Sequence, residues 1–291
     1  MKAAAFDYAR PESVAEAIAQ KCEHGAVARF LAGGQSLLPA MNMRIDRPKI
    51  LIDLNAIGDL GGIEDAGDTI RIGALTRTAD IGRSALIARR LPLLAQCVEH
   101  IAHPAIRSMG TFGGSVVLAD PAAEWPAACL ALDASLVIVG PAGERTIAVQ
   151  DFFQGFYTTT LSEDELLIRV DLPVQPEGAQ SVALELARRR GDFAIAGIVA
   201  QAVPSAKHML SDVRIAFFGI ADRPVRLADI EQVIAQLGLD GIEAACGMLD
   251  DGVDFVGDLY HAPRTKQHLT GVLLGRAVGQ LLEDENSRSA Q

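Results

Sequence analysis

Residues 26–36 read Ala26-Val27-Ala28-Arg29-Phe30-Leu31-Ala32-Gly33-Gly34-Gln35-Ser36, an apolar run that ends abruptly in two glycines and two polar residues. A second segment, Gly110-Thr111-Phe112-Gly113-Gly114-Ser115, again sets paired glycines beside small hydroxyl side chains. Paired glycines can adopt positive φ and let successive N–H groups converge on an anion such as a pyrophosphate, to which the hydroxyls can add donors. One such loop alone is more often a tight turn after a strand. Two together favour two halves of one binding site, and we name residues 32–36 the first glycine loop and residues 110–115 the second glycine loop.

The flanks of the first glycine loop predict a compact unit of helices and strands. Ser13 and Glu16 have capping-box spacing and predict a helix that stops before residue 26. The apolar run 26–32 predicts a buried strand, residues 37–41 a short helix, and residues 49–54 a second strand. This β-loop-α-β pattern predicts a first subdomain over residues 1–56.

The flanks of the second glycine loop predict a larger unit over residues 57–173. The pattern indicates a hairpin with its turn at residues 66–68, and one helix over residues 76–90. Pro92 predicts the start of another helix, and the segment after the loop predicts a helix over residues 122–132 and a strand over 135–139.

A linker follows at Pro173, Pro176 and Gly178, which together form the clearest break in the chain. Beyond it we predict a smaller domain over residues 179–285. Its pattern predicts an antiparallel sheet and helices packed on it, with strands over 181–186, 194–203 and 212–220 and helices over 227–237 and 264–282.

Composition places the chain among globular proteins, with 49% hydrophobic, 22% charged and 5% aromatic residues. The net charge of −11 argues against nucleic acid or an anionic membrane as the main partner, since phosphate binding needs a basic face. The chain shows neither a signal peptide nor an apolar run of membrane-spanning length, so we expect a cytoplasmic protein. The four cysteines contain no Cys-x-x-Cys pair, which predicts no zinc or iron–sulfur site in this chain. Any metal centres of a redox function would therefore lie on another chain.

Other motifs of catalysis and binding are weak or missing. The sequence has no phosphate loop, no Gly-x-Gly-x-x-Gly after a strand and no Gly-x-Ser-x-Gly elbow. His100 and His103 are three residues apart but lack a third metal ligand at a suitable spacing. Asp120 and Glu124 lie one turn apart at a predicted helix start, where capping alone explains Asp120. Glu124 is equally well a helix-terminal acid or an acceptor for a ribose hydroxyl.

Several segments together resemble one family closely. The chain resembles the flavin-binding medium subunit of the molybdenum hydroxylases, which include carbon monoxide dehydrogenase, xanthine dehydrogenase and bacterial N-heterocycle dehydrogenases. The resemblance covers almost the whole length and is carried by Phe6-Asp7-Tyr8 with Arg10-Pro11, by residues 31–39, 71–74, 107 with 110–115 and 119–124, and by Ala187-Arg188-Arg189-Arg190-Gly191-Asp192-Phe193-Ala194.

The resemblance implies an α+β protein: a two-subdomain FAD-binding domain of the vanillyl-alcohol-oxidase type and a smaller C-terminal α+β domain. It implies that the two glycine loops hold the FAD pyrophosphate, that Glu124 contacts the ribose region, and that further residues lie near the isoalloxazine or line the site. The implied FAD-binding residues are Ala32, Gly33, Gly34, Gln35, Ser36, Ile101, Ala102, Thr111, Phe112, Gly113, Gly114, Ser115, Glu124, Leu167 and Ile168. No residue of this chain is assigned as an acid, base, nucleophile or metal ligand.

The resemblance also implies partners. A large subunit would carry molybdopterin and a small subunit two [2Fe-2S] clusters, in a dimer of heterotrimers. This chain would pass electrons from the clusters through FAD to an external acceptor. Two other functions stay open at this point: a stand-alone flavin reductase on the same fold, and a flavin-free scaffold that joins subunits.

Three positions depart from the family pattern. Phe112 stands where Ile or Leu is usual, and Ile101 occupies a position that is aromatic in the animal xanthine enzymes, so ring stacking is not implied there. Glu185 stands where many members have a lysine near the flavin. Loss of that positive charge predicts a lower flavin potential or an altered reaction with the acceptor.

Overall fold

A computed structural model describes residues 2–205 and 209–283 of the chain. Over these residues the chain forms three sheets of three, five and three strands, a two-stranded ribbon, and helices between them. The predicted α+β class is therefore confirmed. Residue 1 of the predicted first subdomain and residues 206–208, 284 and 285 of the predicted C-terminal domain lie outside the described residues, and the three domain boundaries stay predictions.

The first unit is a parallel sheet of order β1-β3-β2 with helix α1 packed on it. Ser13 caps α1 as predicted, with its Oγ accepting from the N–H of Glu16 at 3.2 Å. Strand β2 is shorter than the predicted run, because residues 25–27 form a 3-10 turn. The elements are β1 (Asp7–Ala9), α1 (Val14–His24), β2 (Ala28–Leu31), α2 (Leu37–Asn42) and β3 (Ile50–Asp53).

The second unit is an antiparallel sheet of order β4-β5-β10-β6-β7, covered by a group of short helices. Its elements are β4 (Ile63–Asp65), β5 (Thr69–Gly73), α3 (Thr78–Arg83), α4 (Ala85–Arg90), α5 (Pro92–His100), α6 (Pro104–Arg107), α7 (Phe112–Leu118), α8 (Glu124–Ala131), β6 (Ser135–Gly140), β7 (Gly143–Ala148), β8 (Phe153–Gly155), β9 (Thr158–Thr159) and β10 (Leu166–Pro173). The hairpin of β4 and β5 and the helix start at Pro92 are as predicted.

The prediction of one helix over residues 76–90 is wrong. The segment forms α3 and α4, which are separated at Ser84. Ser84 has extended backbone, and its hydroxyl accepts from the N–H of Ile87 at 3.3 Å. It therefore caps a new helix instead of continuing the old one.

The C-terminal unit is an antiparallel sheet of order β11-β12-β13, in agreement with the predicted arrangement. Helix α10 was not predicted, and it packs between α9 and α11. The elements are β11 (Gln180–Leu186), β12 (Ala196–Pro204), β13 (Leu210–Phe218), α9 (Ala228–Leu237), α10 (Ile242–Gly252) and α11 (Pro263–Leu282).

Helix α5 connects the second and C-terminal units. The Gln96 side chain donates to the Ser181 carbonyl at 2.9 Å and accepts from the N–H of Ala183 at 3.0 Å. These two bonds hold α5 against the outer edge of β11. Among the described residues, no helix combines the length and the apolar character needed to cross a bilayer.

Candidate functional site

The first glycine loop lies at the carboxyl end of strand β2. Because β2 and β3 are parallel with Leu31 opposite Asp53, the residues that follow both strands meet at one edge of the sheet. Ligands of parallel α/β sheets bind at this kind of edge. The first glycine loop therefore lies where a crevice is expected, and Asn55, which follows β3, lies beside it.

The backbone of the first glycine loop requires its glycines. A Cβ added to Gly33 would overlap the carbonyl oxygen of Met109 and lie 2.9 Å from the Cα of Gly110. Gly34 has φ +73°, a left-handed conformation that side chains with a Cβ rarely adopt. No described residue accepts a hydrogen bond from the N–H groups of Gly34, Gln35 and Ser36. These donors remain available to a ligand, so the loop fits an anion such as a pyrophosphate.

The second glycine loop uses its N–H groups differently. Phe112 and Gly113 donate to the carbonyls of Thr76 and Ala74, both at 2.9 Å. Gly114 donates to the Oγ1 of Thr111 at 3.2 Å, which caps helix α7. The glycines allow close packing, since a Cβ on Gly113 would lie 2.5 Å from the Cβ of Ala74.

The two loops meet, as the repeated pattern predicts. Gly33 contacts the Met109–Gly110 peptide, and a Cβ on Gly114 would lie 3.7 Å from the Cβ of Ala32. The Cγ of Gln35 approaches within 3.8 Å of a Cβ placed on Gly110. The predicted halves are thus adjacent in space, and their role in FAD binding stays a prediction.

Ile101 and Ala102 lie at the end of α5, close to the C-terminal unit. Ala102 has φ +42°, and its carbonyl and that of Ile101 accept from the Arg107 guanidinium at 3.2 and 2.9 Å. A Cβ on Gly191 would lie 2.8 Å from the Ala102 carbonyl oxygen. The arginine-rich segment that precedes β12 therefore packs directly on the predicted isoalloxazine region.

Leu167 and Ile168 lie in β10, where its pairing with β6 is interrupted by a bulge. The Leu167 side chain is buried in the core of the second unit. Ile168 packs against the core of the first unit, and its carbonyl accepts from the N–H of Ala74 at 3.0 Å. Leu167 therefore packs in the core, whereas Ile168 lies at the contact between the first and second units.

Glu124 and Glu185 form an acid pair at the junction of α8 and β11. Burial raises the pKa of Glu124 to about 8, and repulsion from Glu185 adds to the shift. Burial likewise raises the pKa of Glu185 to about 7. The Oε2 atom of Glu185 is buried without a hydrogen-bond partner among the described residues. The pair therefore retains a proton near neutral pH. Because the two carboxyls interact, each titration step belongs to the pair and not to either residue alone.

The other polar candidates have structural partners. The Asp120 Oδ1 accepts from the N–H of Ala122 at 2.9 Å, and this bond fixes the turn before α8. The His100 Nε2 lies 3.2 Å from the Ala183 carbonyl. The described residues contain no group of three or more His, Cys, Asp or Glu side chains that could hold a metal ion.

Two polar residues at the junction of the glycine loops were not predicted. Asn55 donates to the Ala32 carbonyl, and Arg77 donates to the Met109 carbonyl and to Asn55. The position of Asn55 just after a parallel strand could have identified it as a candidate site residue, because ligands bind at the carboxyl ends of such strands. Nothing in the local sequence around Arg77 indicates that it reaches the first unit.

Comparison with known proteins shows what the chain is similar to. Residues 4–175 match the FAD binding domain in molybdopterin dehydrogenase, and residues 183–281 match the CO dehydrogenase flavoprotein C-terminal domain. The nicotine 6-hydroxylase medium subunit of Paenarthrobacter nicotinovorans is 36% identical over 96% of this chain and 98% of its own length. The carbon monoxide dehydrogenase medium chain of Hydrogenophaga pseudoflava is 39% identical over 76% of this chain and 77% of its own.

Solved structures give the same result for the fold. A chain of carbon monoxide dehydrogenase from Hydrogenophaga pseudoflava superposes with a TM-score of 0.93 at 34% identity, over 97% of this chain and 98% of that one. A chain of quinoline 2-oxidoreductase from Pseudomonas putida 86 superposes with a TM-score of 0.91 at 28% identity, over 97% of this chain and 98% of that one.

Proposed function

The chain belongs to the FAD-binding medium subunits of the molybdopterin dehydrogenases, and we propose that it carries electrons from iron–sulfur clusters of a partner to an external acceptor. Membership makes the chain a subunit of an oxidoreductase. FAD supplies, when bound, a carrier that takes up and releases electrons singly or in pairs. The chain's own residues bind and orient this group and set its surroundings.

One observation carries the proposal at the level of residues. The first glycine loop leaves the N–H groups of Gly34, Gln35 and Ser36 without an acceptor among the described residues, at the edge of a parallel sheet. These donors would bind the FAD pyrophosphate, with the hydroxyls of Ser36 and Ser115 beside them. The second glycine loop would form the opposite wall mainly through its shape, since most of its N–H groups already have acceptors.

The other FAD contacts are proposed from the similarity of this chain to the flavin-binding medium subunits. Glu124 would accept a hydrogen bond from the ribose region, and Ile101 and Ala102 would lie near the isoalloxazine. Leu167 or Ile168 would line the site. We assign no acid or base role to this chain, because its part in the reaction is electron transfer.

The proposed partners are a large molybdopterin-binding subunit and a small subunit with two [2Fe-2S] clusters, assembled as a dimer of heterotrimers. The absence of a group of three or more metal-ligating side chains among the described residues supports placing the clusters on the small subunit. Co-purification with tagged large and small subunits tests this assembly. A chain that binds FAD but captures neither subunit would support a stand-alone flavin reductase instead.

An absorption spectrum of the purified chain tests the flavin itself. We expect flavin bands with about one FAD per chain, and loss of these bands in Gly34→Val, because valine is strained in the left-handed conformation of this residue. Circular dichroism of the variant should match the parent chain. A folded, colourless parent would favour a scaffold, and a fully yellow Gly34→Val would show that the pyrophosphate binds elsewhere.

Glu185 offers a test of how the chain tunes the flavin. A lysine at this position would place a cation beside Glu124 and favour the reduced, more negative flavin. We therefore expect Glu185→Lys to raise the measured reduction potential of the flavin. An unchanged potential would show that residue 185 is too far from the flavin to affect it. Glu185→Gln is the matched control, since it removes the carboxylate without adding a cation.

A further inference from the structure

A chain of hydrogen bonds joins the two glycine loops. It runs through one side chain of the first unit, Asn55, and one of the second unit, Arg77. The Asn55 Nδ2 donates to the Ala32 carbonyl at 2.9 Å. The Asn55 Oδ1 accepts from the Arg77 guanidinium at 2.6 Å, and the other terminal nitrogen of Arg77 donates to the Met109 carbonyl. The side chains thus connect the residue before Gly33 with the residue before the second glycine loop.

The bond to Ala32 sets the direction of the next N–H group. In a trans peptide the C=O and the following N–H point in opposite directions. Fixing the Ala32 carbonyl toward Asn55 therefore turns the N–H of Gly33 to the other side of the peptide. No cis peptide bond occurs among the described residues, so this geometry holds at Ala32–Gly33.

The bond to Met109 fixes the surface that touches Gly33. The Met109 carbonyl oxygen occupies the space where a Cβ of Gly33 would lie. Arg77 holds this same oxygen, and its own backbone pairs with Thr111 in an isolated bridge. Arg77 therefore contacts both the peptide against which Gly33 packs and the second glycine loop itself.

The amide of Asn55 is held in one orientation by its neighbours. Its Nδ2 needs an acceptor and its Oδ1 a donor, and the Ala32 carbonyl and the Arg77 guanidinium satisfy these needs in only one of the two flips. Asp53 adds support, since its Oδ1 accepts from the backbone N–H of Asn55 at 2.9 Å and its Oδ2 accepts from the hydroxyl of Tyr8. All of these partners belong to the chain itself, so the arrangement needs no ligand.

We propose, on the premise that the first glycine loop binds FAD, that Asn55 and Arg77 are positioning residues for the FAD pyrophosphate. They hold the Ala32–Gly33 and Met109–Gly110 peptides in register, so that the N–H groups of the first glycine loop converge before FAD arrives. A loop that is already ordered loses less conformational entropy on binding, and its affinity is correspondingly higher.

Titration of the flavin-free full-length chain with FAD, followed by fluorescence, tests the proposal. We expect Asn55→Ala and Arg77→Gln each to weaken FAD binding by about tenfold, the effect of losing one or two hydrogen bonds that order the loop. The flavin-free variants should stay fully folded under the conditions of the titration, with the free energy of unfolding lowered by no more than about 1 kcal/mol for each hydrogen bond lost. Because the two residues act through one another, the double variant should bind FAD about as weakly as either single variant.

Conservative variants separate positioning from direct contact. Asn55→Asp keeps the shape and the Arg77 contact but replaces the donor to Ala32 with an acceptor, so it should be as weak as Asn55→Ala. Arg77→Lys keeps the charge but cannot reach two acceptors, so it should resemble Arg77→Gln. Arg83→Gln removes a cation from the same segment, where Arg83 makes only an exposed pair with Asp80, and serves as the control with unchanged affinity.

The outcomes are distinct. Parent-like FAD affinity in Asn55→Ala, or parent-like affinity in Arg77→Lys with a salt-dependent loss in Arg77→Gln, would overturn the positioning role. A loss of affinity caused by unfolding of the variant, seen as a loss of circular dichroism signal under the conditions of the titration, would also overturn it. A parent chain that binds no FAD would instead remove the proposed function, whatever the variants do.

Discussion

The two glycine loops share a sequence pattern but differ in what their backbones do. In the first, three successive N–H groups lack acceptors among the described residues, and Gly34 adopts a left-handed conformation. In the second, the N–H groups of Phe112, Gly113 and Gly114 are bonded to other parts of the protein. The first loop therefore keeps donors available for the proposed ligand, whereas the second uses its donors to hold its own position.

The difference shows that a glycine pair has more than one physical use. Gly33 lets another backbone approach, while Gly34 supplies a left-handed conformation in a segment whose N–H groups have no acceptor among the described residues. Gly113 makes room for Ala74, so that helix α7 can lie against the segment after β5. A shared pattern can therefore identify two loops that meet in space without making their backbones equivalent.

Gly33→Ala should produce the largest effect. Its Cβ would overlap the Met109 carbonyl, and neither backbone can move without separating the loops. We expect FAD affinity to fall at least about 100-fold, or about 2.8 kcal/mol, measured by titration of the flavin-free chain. Gly58→Ala is the control, since nothing lies within 4 Å of a Cβ there. An alanine variant with parent affinity would mean that the contact between the loops is unimportant for binding.

Gly113→Ala should act on stability instead. The added Cβ would lie 2.5 to 2.8 Å from atoms of Ala74. Such overpacking lowers the free energy of unfolding by about 1–3 kcal/mol, which urea denaturation of the flavin-free chain measures. Gly247→Ala, which has open space around the new methyl group, should not destabilise the chain. If Gly113→Ala lost FAD while keeping its stability, Gly113 itself would have to contact the ligand directly.

A matched pair of hydroxyl deletions gives a smaller, more selective test. Thr111 caps α7 through the N–H of Gly114. Thr111→Val should therefore lower the free energy of unfolding by about 1 kcal/mol. Ser36 caps α2 without a side-chain hydrogen bond, so Ser36→Ala should leave stability unchanged. Its FAD affinity should fall severalfold if the hydroxyl donates to the ligand. The reverse assignment of the two effects would contradict the difference between the loops.

The sequence predicted those elements whose signals are local. The capping box at Ser13 and Glu16 gives α1, and the alternation of apolar runs after the linker gives the three C-terminal strands. Ser84 misled the prediction of one helix, because its extended backbone interrupts a pattern that remains apolar on one face. Helix α10 has a similar apolar face but lacks a clear start signal, since no side chain caps it.

The site was predictable only in part for a different reason. The paired glycines predicted that the loops meet, and they do. Which N–H groups remain free depends on Thr76 and Ala74, which reach the second loop from a distant part of the chain. Asn55 and Arg77 lie in units that form separate sheets. Their contact depends on how the two units pack together, which no short sequence pattern can predict.

Removal of FAD should have the smallest but most direct effect on the comparison. Amide hydrogens that bind the pyrophosphate exchange slowly when it is present and become free when it leaves. We expect exchange at Gly34, Gln35 and Ser36 to be severalfold faster in the flavin-free chain, measured by mass spectrometry of overlapping peptides. Phe112 and Gly113 should change little, because carbonyls of the protein accept their hydrogen bonds in either state. Equal changes in both loops would show that FAD orders the second loop as well, and that its protein hydrogen bonds do not hold it alone.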